Sequence, residues 1–266
     1  MDGRLRLVFR ARGNETHLAE SYVQSPLKIL RQFHLPDGRA VVQILQTTPG
    51  IFAGDDYQVE VVVESGTRVV MMNPSATKLH RMTGGGFARQ RYNVTVHDGA
   101  HLEYYPALNI PFPEADFRQT LQINLSPKAR LALVETWAMG RVERGEHLLF
   151  RRLSSRTAVN LAGKPLYRDA LELTPASDSS RDWGVLEGKR YHATGFWFGE
   201  CVKPVAPLPA TPLDSLQAFG AVEQGQYYFR GLFDDGVEMS QAVGRVIHRM
   251  CCAWGQADPP LRSFSC

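Results

Sequence analysis

The residues best placed to do chemistry in this chain are acidic. Asp55 and Asp56 follow directly on Gly54, so one of the two is expected to face inward where the chain folds back. Glu135 lies inside an otherwise apolar run, Leu131 to Met139, where an unpaired carboxylate would be costly to bury. Glu146 follows Gly145 and is expected to open another strand. Carboxylates placed in this way can move protons or hold a cation, or they can form ion pairs with Arg141, Arg144 or Arg151. Among the dispersed histidines, His97 and His101 flank a turn, so a hairpin could aim both at one metal or leave both in solvent.

Other catalytic signatures are missing. The chain has no Gly-x-Ser-x-Gly elbow, no His-Glu-x-x-His pair and no Gly-x-x-x-x-Gly-Lys-Ser/Thr loop. Gly84-Gly85-Gly86 precedes a strand-like stretch rather than a helix, and it reads as a loop tip rather than an anion cradle. The cysteines Cys201, Cys251, Cys252 and Cys266 form no Cys-x-x-Cys pair, which points to reduced thiols in a cytosol.

The elements that must carry these groups are mostly strands. Residues 40–46, 57–63, 91–96 and 120–125 have period-two or β-branched patterns, with turn residues between them. A short motif of small, basic and aliphatic residues recurs three times, as Thr67-Arg68-Val69, Ala100-His101-Leu102 and Ala129-Arg130-Leu131. The copies are spaced by 33 and then 29 residues. Each copy follows a turn and opens a strand, which favours strand pairs stacked in layers, as in a β-solenoid, over a closed barrel.

Residues 174–190 read as an exposed loop, and the proline-rich run 204–212 as a break. Beyond it two short helices are expected. The first carries Leu213, Leu216, Ala218 and Phe219, with Thr211 as cap and Pro212 at the first position. The second follows Met239, Ala242, Val243, Val246, Ile247, Met250, Cys251 and Trp254. The expected fold is mainly β and forms one domain over residues 1–266. It has a strand-rich body to about 203, a helix-containing part from about 204 to 255, and a tail from 256 to 266.

Thr48-Pro49-Gly50-Ile51-Phe52-Ala53-Gly54-Asp55-Asp56, together with Pro74-Ser75-Ala76-Thr77-Lys78-Leu79-His80-Arg81, resembles the two signature segments of the urease accessory protein D (or H) family. Ser25-Pro26-Leu27-Lys28, Gly99 to Tyr104, Gly140-Arg141 and Gly145-Glu146 extend the resemblance in order, from about residue 25 to 175. The family motif residues are then Pro49, Gly50, Gly54, Thr77, Lys78, Arg81, Gly140 and Arg141. Three departures stand out. Ile51 occupies a position where many relatives have glycine, His80 stands where the family usually has tyrosine, and the tail from Pro259 to Cys266 is unlike the usual ending.

The resemblance implies a β-rich, non-enzymatic chaperone of urease maturation that partners accessory protein F, the GTPase G through F, and apo-urease. It also implies a water-filled passage for nickel in transit, lined by Asp55, Thr77, Glu135 and Glu146, with no tightly bound cofactor. Oxygen donors hold nickel more weakly than nitrogen donors, so such a passage should be acidic and poor in histidine and cysteine. Part of the second apolar stripe, Met239, Val243, Val246, Ile247 and Met250, is a candidate surface for a partner helix.

A β-solenoid carbohydrate hydrolase or lyase is the alternative, with Glu135 and Glu146 as paired carboxylates and Tyr104-Tyr105 or Phe196-Trp197-Phe198 as sugar platforms. The net charge of +3 and the scattered basic residues give no reason to expect nucleic acid or a membrane surface as partner. The N-terminus alternates charged and apolar residues and reads as a strand rather than a signal peptide, so a cytoplasmic location is expected.

Overall fold

A computed structural model describes residues 1–175, 185–205, 216–223 and 225–261. The strands β1 (Asp2–Arg12) and β2 (Glu15–Gln24) form a hairpin, followed by the short β3 (Leu27–Ile29) and β4 (Phe33–His34) and by β5 (Ala40–Gln46). The body then alternates between two layers: β6 (Asp56–Val63), β7 (Arg68–Met72), β8 (Thr77–Leu79), β9 (Ala88–Val96), β10 (His101–Tyr105), β11 (Asn109–Pro111), β12 (Asp116–Leu125) and β13 (Arg130–Ala138). The remaining strands are β14 (Arg152–Leu161), β15 (Lys164–Leu173), β16 (Tyr191–Phe198), β17 (Gln217–Glu223) and β18 (Gln226–Phe233), and the chain then enters the helix α1 (Gly236–Trp254).

One layer is a seven-stranded sheet in the order β15-β14-β12-β9-β6-β1-β2. The other is an eleven-stranded sheet whose main path is β17-β18-β16-β13-β10-β7-β5-β3. In each, successive coils pair in parallel, and antiparallel strands close the ends. This is the stacked, solenoid-like architecture that the repeat predicts. The three copies of that repeat lie side by side: Arg68 is level with His101, and His101 with Arg130. The amide of His101 donates to Thr67 O at 2.8 Å, and that of Arg130 to Ala100 O at 2.9 Å. A strand side chain has period two, so each coil sends the same register positions inward and the apolar ladder builds itself.

The eleven-stranded sheet is covered on both faces. Leu131, Leu133 and Trp137 of β13 face the other sheet, while Ala132, Val134 and Ala138 face α1. The sequence-level expectation for the C-terminal third therefore needs correcting. Only one helix is found there among the described residues. It is 19 residues long, capped by Asp235, whose carboxylate accepts from the amides of Val237 and Glu238. Of the helix expected around Leu213 to Phe219, residues 211–215 lie outside the described residues, and Ala218 and Phe219 belong to strand β17. Apolar residues at mixed spacing there pair with β18 because a sheet edge supplies hydrogen bonds that the sequence cannot show. Met239, Val243, Val246, Ile247 and Met250 are all buried against the sheet, so the face expected to meet a partner helix is core. Most of the loop expected at 174–190, residues 176–184, also lies outside the described residues, as does Cys266.

A polar ladder between the sheets and a motif groove at their rim

The inward positions of the seven-stranded sheet are not uniformly apolar. Tyr57, Gln90, Gln119 and Ser155 stand level on neighbouring strands, and all are buried. Asp55 caps one end of this row, 6% exposed. It accepts from the Tyr57 hydroxyl at 2.8 Å and the Phe52 amide at 2.8 Å, and the amino group of Met1 lies 2.8 Å away. Gln90 Nε2 donates to the Tyr92 hydroxyl at 2.8 Å.

Glu135 meets the row from the opposite sheet. Its carboxylate accepts from Gln119 Nε2 at 2.6 Å and from Thr157 Oγ1 at 2.9 Å, and Gln119 also donates to Ser155 Oγ at 3.1 Å. Burial pushes the Glu135 carboxyl above its ordinary 4.5, while Thr157 and Gln119 pull it back. Burial likewise raises the Tyr92 hydroxyl to about 12. Beyond Glu135 the polar line continues through Thr194 and Arg230, level with it on β16 and β18. Arg230 pairs with Asp169 on β15, and that residue is level with Thr157. A continuous polar ladder thus crosses the stack between two sheets whose remaining inner faces are largely apolar.

Four of the other expected residues, Pro49, Lys78, Gly140 and Arg141, line a rim groove of about 450 Å³ together with His80 and Phe112. The amide of Ile51 donates to Lys78 O and that of His80 to Ile51 O, both at 2.8 Å, which stitches the two signature segments together. Gly50 is required by close approach, since a Cβ there would sit 2.3 Å from Lys78 O. Gly140 is held at φ +134°, with Glu146 O 2.2 Å from where its Cβ would be. Arg141 grips Glu146 through two bonds, Nε at 2.6 Å and Nη2 at 2.5 Å, and its guanidinium lies 4.2 Å from the Phe112 ring centre. The Arg141 fork holds the Glu146 carboxyl below its usual range. Arg81 makes a similar fork with Glu114. Thr77 begins β8, two residues from core Leu79 and so on the same strand face.

Ile51 is fully buried in the core. His80 takes the aromatic role at its position, stacked on Phe52 at 4.4 Å and edge-on to Phe112 at 4.7 Å.

Asp55 and Glu135 therefore belong to one interior ladder, whereas Glu146 is tied to Arg141 at the rim. This differs from the expectation that all three line one passage. It also separates Glu135 from Glu146 as a paired acid and base. Tyr104, Tyr105, Phe196 and Trp197 are buried and Phe198 is half-buried against the core, so neither aromatic group presents an open sugar platform. His97 and His101 do not join in a metal-ligating group among the described residues. His101 is buried edge-on to Trp254 at 4.8 Å, and burial lowers its pKa to about 3.

Sequence reasoning missed Gln90, Gln119, Ser155 and Thr157. Gln90 and Gln119 are separated by the same interval as the second and third copies of the repeat, so aligning the coils would have exposed them. It also missed a buried ionic cluster on the other face. Arg39 Nη1 donates to Glu103 at 2.6 Å, with Asp37, the Tyr105 hydroxyl and Gln256 completing the network. Arg39 also reaches Ala257 O, so this cluster fastens the segment after α1.

The family model described as UreD urease accessory protein matches residues 1–264. A relative from Deinococcus radiodurans, named urease accessory protein UreD, is 38% identical over 247 residues, which cover 91% of this chain and 87% of the relative. Another, urease accessory protein UreD 1 of Synechococcus sp., is 39% identical over 193 residues, 73% of this chain and 72% of the relative. A third, from Thermosynechococcus vestitus, is 33% identical over 205 residues, covering 74% and 72%. The sequence that stacks its coils around this ladder thus belongs to the UreD family of urease accessory proteins.

Proposed function

We propose that this chain serves urease maturation as a non-catalytic scaffold that passes nickel along its interior ladder to apo-urease. In this reading it assembles with accessory protein F, which brings the GTPase G, and nickel is cargo rather than a resident cofactor. The observation that carries the proposal is the buried row of Tyr57, Gln90, Gln119 and Ser155, level on neighbouring strands, with Asp55 bonded to Tyr57 at one end and Glu135 bonded to Gln119 and Thr157 from the opposite sheet.

The chemistry fits transit. Amide, hydroxyl and carboxylate oxygens are weaker nickel donors than imidazole or thiolate, so an ion would be held briefly at each step. Glu135 is the strongest single oxygen donor in the middle of the line, and its proton state sets the local charge. Gly50, Gly140 and the Arg141–Glu146 fork shape the rim groove, which suits a docking role. Glu146 acts there by fixing Arg141.

The test is co-expression of Glu135→Gln and Gln119→Leu variants with urease and its accessory proteins. Pull-down should recover intact complexes, while elemental analysis of the purified urease should show reduced nickel. Full nickel loading in both variants would overturn the passage.

A further inference from the structure

We propose that Glu15, His17 and His34 form a binding site for a divalent late transition-metal ion, separate from the ladder and independent of the passage reading. One ligand atom from each of the three lies within 4.8 Å of the others. Glu15 and His17 are two apart on β2 and so share a face, and His34 reaches them from β4. His17 Nε2 is 3.4 Å from Glu15 Oε2. Two ligands each about 2.1 Å from one tetrahedral ion stand about 3.4 Å apart, so this pair is already at bite distance.

The third ligand is held in place by the backbone of β2. His34 Nε2 lies 2.7 Å from Thr16 O and 3.0 Å from Gln32 Nε2, and Gln32 Nε2 donates to the same carbonyl at 2.9 Å. Gln32 Oε1 in turn accepts from the Leu18 amide at 2.6 Å, which locks residues 32–34 onto β2. With Nε2 directed at that carbonyl, Nδ1 is the nitrogen His34 would offer a metal, and the carbonyl is the outer partner that orients the ring. The His17 and His34 rings meet edge-on, with centres 5.3 Å apart. Arg10, level with His17 on β1, already has its charge matched by Glu20 and Glu64, which limits its repulsion of a cation.

Two imidazoles and one carboxylate select zinc, copper or nickel over magnesium or calcium. Three protein ligands at the surface leave positions open for water or a donor from another molecule. The site lies at the far end of β1 from Asp55: Asp2 is level with Asp56, and Arg12 with Glu15. An eleven-residue strand, roughly 35 Å long, separates the two.

The full-length protein would be titrated with Ni²⁺ by calorimetry in excess Mg²⁺, with bound metal counted by elemental analysis. A Cu²⁺-loaded sample would be examined by pulsed EPR for imidazole nitrogen. Wild type should bind one more Ni²⁺ per chain than the His17→Gln/His34→Gln variant, and should show coupling to two imidazoles that the variant lacks. Glu15→Gln, which leaves both rings in place, should weaken that site at least about tenfold. Glu135→Gln should leave it unchanged, so loss of the passage and loss of this site are read separately. Equal Ni²⁺ stoichiometry and affinity in wild type and the double variant, an imidazole signature that survives it, or unaltered affinity in Glu15→Gln would overturn the proposal.

Discussion

Gln119 on β12 donates to Glu135 on β13 at 2.6 Å, and with Thr157 on β14 donating to the same carboxylate this ties the two sheets together through one side chain. Glu135→Leu removes the acceptor of the Thr157 hydroxyl and one of the two acceptors of the Gln119 amide, and should cost about 1–3 kcal/mol. Glu135→Gln should cost less, and its effect should depend on pH. Because burial raises the folded-state pKa, Glu135 contributes stability that is complete below 4.5 and lost as pH rises through the raised value. The variant should therefore gain on wild type as pH rises. Urea titrations at a series of pH values measure this; parallel curves for the two proteins would contradict it.

Two buried histidines act in the opposite direction. Burial lowers His101 to about 3 and His192 to about 4, from 6.5. Their neutral forms support the fold above pH 6.5, and that support is lost as pH falls toward those values. Thermal melts should show stability dropping between pH 6.5 and 4, with a shallower drop in His192→Asn. An identical acid slope in that variant would place the effect elsewhere.

Glu103 and Arg39 are both fully buried, and Arg39 keeps its charge. Burial pushes the Glu103 carboxyl up and Arg39 pulls it down. Glu103→Ala strands the guanidinium with only Asp37 to match it and should cost about 3–5 kcal/mol in chemical denaturation. Replacing both partners, as Arg39→Met with Glu103→Leu, should recover much of that loss, because well-packed apolar groups often equal a buried pair. A double variant as unstable as the single would count against this account.

The approach of Gly50 to Lys78 O makes Gly50→Ala a test of the stitched signature segments. The added methyl must push the two loops apart, an overpacking cost of about 1–3 kcal/mol. Urease activation should fall even at temperatures where the variant stays folded, since Pro49 and Lys78 would no longer line one groove. Full activation with unchanged melting would show that the loop pairing is dispensable.

The strand body, the stacked coils and the family were legible in the sequence because each depends on local pattern. Period-two alternation marks the strands, and the recurring tripeptide marks the turn of each coil, so Arg68, His101 and Arg130 end up level. Glu135 was legible as an oddity, a carboxylate in an apolar strand. What made it part of a ladder was tertiary. Gln119 and Thr157 reach it only because two sheets face each other across residues distant in the chain. The fate of Glu146 depended on whether Arg141 was nearer than the interior, and the exposure of α1 on whether a sheet lay beneath it. The same limit explains the lost helix near Phe219, where an open strand edge outweighed local preference, and the unforeseen Glu15–His17–His34 cluster, assembled by pairing β4 beside β5. Local pattern specifies which way a side chain points along its own strand; only the packed fold decides what stands opposite it, because that partner comes from elsewhere in the chain.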